Sequence, residues 1–157
     1  MDETVITREG LDRLNAELER LTGEGRREIA QRLERATIGE SNFSENADYH
    51  EIRDDQALLE RRIAVLEDRV RSARVVEPQF GNGCIDVGER ARLRDLDSGE
   101  RIVIELVGPF EADARAGRIS TASPVGRAVA GLRRGEIAEV DAPRGMRRLK
   151  VTAVETA

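Results

Sequence analysis

Leu11, Leu14, Leu18 and Leu21 recur at intervals of three, four and three residues. That spacing is the a/d stripe of a helix packed on another helix. Thr7 precedes the stripe as a candidate N-cap, and Glu9 falls in the first turn, where a negative charge suits the helix dipole. The stripe stutters across "TGEGRREIA" and resumes one position out of phase at Ile29, Leu33 and Ala36. Such a slip predicts a local irregularity near Thr22–Gly25. A second stripe, Ile52, Leu59, Leu66 and Ala73 with Ile63 and Val70 interleaved, predicts another helix from about Asn46 to Val75. Two stripes joined by a short link predict an antiparallel helical hairpin. It would occupy residues 1–77 with its tip at 39–46, and its long helix would reach roughly 45 Å.

Beyond Glu77-Pro78 and the linker-like "EPQFGNG" the period changes to two. Alternating stretches at 90–96, 101–107, 135–141 and 147–155 predict strands. "DSGE" at 97–100 and "PRG" at 143–145 supply turns. "SPVGRAVAG" at 123–131 predicts a short helix, with Ser123 as N-cap, Pro124 at its first position and Gly131 ending it. Residues 78–157 are therefore expected to form a small α+β domain.

Composition sharpens this division. Charged residues make up 36% of the chain and aromatics only 3%, as suits a helical portion with much solvated surface. Residues 1–77 carry 19 acids and 13 bases, whereas residues 78–157 carry 12 and 13. The net charge of −5 argues against general attraction to a nucleic-acid backbone. Cys84 is the only cysteine, which excludes an internal disulfide and a cysteine-based zinc site. The apolar runs are too short to cross a bilayer, and the start has no apolar signal region. These features predict a cytoplasmic protein without a membrane partner.

The candidate chemistry lies at the hairpin tip. "ESNFSENADYHEIRDDQ" (40–56) holds Glu40, Glu45, Asp48, Glu51, Asp54 and Asp55, with Arg53 the only base. Carboxylates could hold a hard cation. Alternatively, Asn42 to Glu45 has the form of a capping box, and Asp48, Glu51, Asp54 and Asp55 form a solvated helix face. Phe43 could pack against the tip loop or present its ring to a nucleobase, a contact of about 1–3 kcal/mol. Arg26, Arg27, Arg32 and Arg35 could pair with Glu28, Glu34 and carboxylates across the hairpin, or contact RNA phosphate. His50 has no partner of metal-ligand type and reads as a helix surface residue.

The chain resembles the Gre-type transcript-cleavage factors of bacteria. The resemblance is carried by "ITREGLDRLNAELERL", "SENADYHEIRDDQ", "SARVVE", "DLDSGE" and "ASPVGRAVAGLRRGE", in that order along the whole sequence. It implies an N-terminal antiparallel coiled coil followed by a small α+β domain of FKBP-like fold. That domain would dock at the rim of the RNA polymerase secondary channel, with Ser123-Pro124 in the docking region. The coiled coil would carry its tip, including Phe43 and Ser44, to the polymerase active site and the RNA 3′ end. Family tips supply an Asp and, three residues later, a Glu to magnesium shared with the polymerase. Here Glu45 stands at the Glu position and Asn42 at the Asp position.

The resemblance thus predicts a regulator of elongation with weak or absent cleavage stimulation, not an enzyme by itself. Another reading is an active cleavage factor using Glu45 with help from Glu40. A third is a coiled-coil adaptor or chaperone unrelated to polymerase. Phe80 and Phe110 are the only aromatics after residue 77, too few for the pocket of a prolyl isomerase. A monomer suits insertion into a channel.

Overall fold

The computed structural model describes residues 3–38 and 46–156. Their contacts divide into two compact units, one of residues 1–11 with 73–157 and one of residues 12–72.

The helical unit contains most of α1 (Arg8–Arg20), a π-helical turn (Leu21–Gly25), α2 (Arg26–Thr37) and α3 (Ala47–Ser72). The π turn is the expected irregularity. The Arg26 N–H donates to the carbonyl of Leu21, five residues back, so one extra residue is absorbed without ending the helix. The apolar stripe then regains its partner, and Leu14, Leu21 and Ile29 are buried along with Ile52, Ile63 and Leu66 of α3. A Cβ on Gly25 would stand 3.2 Å from Leu59 Cδ1, so this glycine permits close helix approach. The hairpin is antiparallel, as its cross-links show. Glu17 pairs with Arg62, Arg26 with Glu60 and Arg32 with Asp55.

The helix expected to run to Val75 ends at Ser72. Ala73–Val75 instead forms β2, which pairs in parallel with β1 (Thr4–Ile6). The Ala73 position continues the heptad, but β-branched Val75 and Val76 follow it and suit an extended chain. Ile6 is fully buried, and its carbonyl accepts the N–H of Val76 at 2.9 Å.

The second unit is built on a five-stranded mixed sheet in the order β5-β4-β3-β7-β6. Its strands are β3 (Glu89–Asp95), β4 (Arg101–Val107), β5 (Arg118–Ser120), β6 (Ile137–Ala142) and β7 (Gly145–Thr156). Four of these match the expected period-two stretches, while the three-residue β5 was not expected. One helix, α4 (Pro124–Val129), packs on one face. Ala91, Leu93, Ile104, Leu106, Leu149 and Val151 point inward and form the core with Val129 and Ile85. The expected α+β class is therefore present, with a helical hairpin followed by a curled sheet.

Candidate functional site

The hairpin is tied off close to its tip by Asn46. Its Oδ1 accepts the backbone N–H of Tyr49 at 3.1 Å, which makes Asn46 the N-cap of α3. Its Nδ2 donates to the carbonyl of Ala36 near the end of α2, at 3.3 Å. One side chain therefore satisfies an orphan donor of one helix and an orphan acceptor of the other. The N-cap position of α3, which begins at Ala47, is thus filled by Asn46. Glu40, Asn42, Phe43, Ser44 and Glu45, the tip residues singled out in the sequence, lie outside the described residues.

Of the tip-proximal carboxylates, Asp55 is engaged by Arg32 at 2.8 Å. Asp48 and Glu51 line a shallow depression of about 360 Å³ with Arg32 and Arg35. Arg26 grips Glu60 through Nε and Nη2, both at 2.8 Å, and this bidentate contact holds the Glu60 carboxyl below its ordinary range. Arg26 and Arg32 thus fasten the two helices together rather than pairing with Glu28 and Glu34. His50 is exposed and stands edge-on to Tyr49, with ring centroids 5.9 Å apart. Among the described residues, no three His, Cys, Asp or Glu side chains are grouped to hold a metal ion.

In the sheet unit, Ser123 caps α4 as expected. Its Oγ accepts the N–H of Gly126 at 3.0 Å and donates to the Ser120 carbonyl at 2.7 Å. Pro124 follows at the first helical position and is exposed. A Cβ on Gly126 would fall 1.9 Å from the Ser120 carbonyl oxygen, so glycine is required for this tight loop. The Ser123-Pro124 corner is consequently rigid, with the proline ring presented to solvent.

Sequence reasoning missed Glu111. This buried carboxylate accepts the N–H of Thr7 at 2.9 Å and that of Gly108 at 3.1 Å, and also accepts the Thr7 hydroxyl. Thr7 Oγ1 in turn accepts the N–H of Gly10 at 3.0 Å and caps α1. Gly10 is a glycine because a Cβ there would meet Glu111 Oε1 at 2.0 Å. The start of α1 is therefore locked into the sheet unit. Nothing local in "GPFEAD" signals a partner 104 residues upstream.

A helical hairpin whose two helices are bridged by Asn46, and a small α+β sheet unit, define a two-unit helical-hairpin protein. Comparison with known proteins narrows the class. Residues 4–75 match the family described as "Transcription elongation factor, N-terminal", and residues 81–156 match "Transcription elongation factor, GreA/GreB, C-term". The chain is 37% identical over 153 residues to transcription elongation factor GreA of Clostridioides difficile, covering 97% of this chain and 96% of that one. It is 35% identical over 154 residues to GreA of Syntrophomonas wolfei, covering 98% and 96%. Among solved structures it is similar to the GreA factor homolog Gfh1 of Thermus thermophilus, with 32% identity, TM-score 0.44 and coverage of 98% and 99%. The chain belongs to the GreA/GreB family of transcription elongation factors.

Proposed function

We propose that this protein regulates elongation by binding RNA polymerase and inserting its antiparallel coiled-coil arm into the secondary channel, with little or no stimulation of transcript cleavage. The observation that carries this reading is Asn42, which stands where the family tip has Asp, three residues before Glu45. A second metal held for phosphodiester hydrolysis needs firm oxygen ligands, and carboxylates serve a hard cation best. Asn42 offers a neutral carbonyl oxygen and leaves Glu45 as the one anion of the pair. Magnesium shared with the polymerase would then be recruited weakly. The protein would act by occupying the channel, altering pausing or displacing an active cleavage factor.

The sheet unit serves as the docking module in this reading, with Ser123 and Pro124 at the channel rim. The well-formed cap at Ser123 and the exposed Pro124 ring support such a role. The protein would act as a cytoplasmic monomer. No described helix is long and apolar enough to cross a membrane.

A photo-reactive analogue placed at Phe43 tests entry into the channel. In stalled elongation complexes it should cross-link to the polymerase interior or the RNA 3′ end. Binding to polymerase with cross-links confined to its outer surface would defeat the channel reading.

A further inference from the structure

β3 lies at the centre of the sheet and alternates strictly. Ala91 and Leu93 point into the core, while Arg90, Arg92 and Arg94 point out, away from the face covered by Val129 of α4. The strand register places Arg101 of β4 directly opposite Arg94, and Lys150 of β7 on its other side. Neighbouring strands are about 4.8 Å apart, so the three cations form a row roughly 10 Å across.

Arg90 and Arg92 are compensated by Glu105 at 3.8 Å and Glu155 at 2.9 Å. Arg94, Arg101 and Lys150 make no ion pair among the described residues. Like charges directly opposite one another weaken a sheet. Cations on unpaired strand edges are explained by protection against strand addition, which covers Arg101, because β4 pairs with β5 only at Glu105–Val107; Arg94 and Lys150 lie where their strands are paired on both sides. The row therefore runs against the sheet's own stability.

Exposed aliphatic groups flank the cations. Ile137 of β6 stands opposite Lys150 and is 49% exposed, and Val103 stands opposite Arg92 and is 57% exposed. A shallow depression of about 580 Å³ beside Lys150 and Ile137 is lined by Arg92, Arg94, Arg101 and Val103, with Thr152 and the Arg92-paired Glu155 at its wall. We infer that this face docks an acidic polypeptide segment whose carboxylates meet Arg94, Arg101 and Lys150 and whose intervening aliphatic side chains cover Val103 and Ile137. Arginine beside apolar surface is typical of protein interfaces. A nucleic-acid strand fits less well. Glu105 and Glu155 share the face, no aromatic ring lines the depression among the described residues, and the whole chain is net negative. The site lies on the opposite side of the sheet from α4 and its Ser123-Pro124 corner, and it does not depend on the role proposed for the hairpin tip.

The test uses the full chain and a blocked fluorescent peptide alternating Glu with Val, read by anisotropy at low and physiological salt. Binding should weaken about tenfold or more in the triple variant Arg94→Ser/Arg101→Ser/Lys150→Ser and severalfold in Val103→Ser. Because the like-charge row is removed, the triple variant should keep or raise its melting temperature. A fall would mark the row as structural and overturn the proposal. Single Arg101→Ser should weaken binding alone, while Ala114→Ser outside the row should not. Absence of peptide binding, or equal binding by the triple variant, would overturn the proposal. So would tighter binding of a single-stranded oligouridylate that the triple variant loses, since that result would assign the row to phosphate.

Discussion

Glu111 Oε2 accepts the backbone N–H of Thr7 at 2.9 Å although 104 residues separate the two in sequence. The same carboxylate holds the Thr7 hydroxyl and the N–H of Gly108. Glu111→Ala should leave those buried donors unpaired, at about 1–3 kcal/mol for each. Gly10→Ala should overpack the same spot at about 1–3 kcal/mol. Denaturant midpoints and hydrogen exchange at the Thr7 amide check both. An unchanged midpoint and unchanged exchange in Glu111→Ala would remove this carboxylate from the anchoring role.

Asn46 carries the cap at the tip end of α3. Asn46→Ala should cost about 0.5–2 kcal/mol, and somewhat more if the Ala36 carbonyl is also left bare. Asn42→Ala should leave helix stability unchanged within error. Thermal melts of the two variants side by side distinguish the caps, and the reverse order of effects would return capping to Asn42.

The π turn exists to absorb one residue. Deleting Gly23, whose side-chain direction is open space, should convert the turn to ordinary α-helix and bring Leu21 and Ile29 into regular phase. The expected result is equal or higher helical circular dichroism and an unchanged or raised melting temperature. A clear drop would mean that the turn is needed for the packing of α3.

Asp95 is buried, and its carboxyl is held below the usual carboxylate range. The backbone N–H groups of Ser98 and Asp97 are the main cause, and the guanidinium of Arg147 at 2.9 Å adds to them. A folded value depressed below the unfolded one stabilises the protein above the unfolded range, and this contribution disappears as pH falls through the folded value. Asp95→Asn should therefore lower the melting temperature at neutral pH, and the gap to the natural protein should close on acidification below pH ~4. A gap that stays constant with pH would contradict the assignment.

The periodic parts of the fold were legible in the sequence. Heptad spacing of apolar residues gave both helices of the hairpin, and the one-residue slip located the π turn. Alternation in "RARLRDL" and "RIVIELV" gave two central strands. Contacts between distant residues were not legible. β1 and β2 are three residues each and pair across the whole hairpin, so neither shows a local pattern. Glu111 belongs to the same class. Asn46 was obscured because Asn42, four residues earlier, has the capping-box glutamate three residues on, whereas Asn46 has Tyr49 at that place. The cationic row was not legible either, because Arg94, Arg101 and Lys150 come together only through strand register.

The identity of residue 42 carries the functional proposal. The most direct measurement compares the natural protein with its Asn42→Asp variant on stalled, backtracked polymerase complexes, following release of short 3′ RNA fragments over time. The account predicts little release above the polymerase alone for the natural protein, and a large gain for Asn42→Asp at equal polymerase occupancy. Equal and efficient release by both proteins would contradict it and assign the cleavage function to Glu45, with Glu40 as its helper.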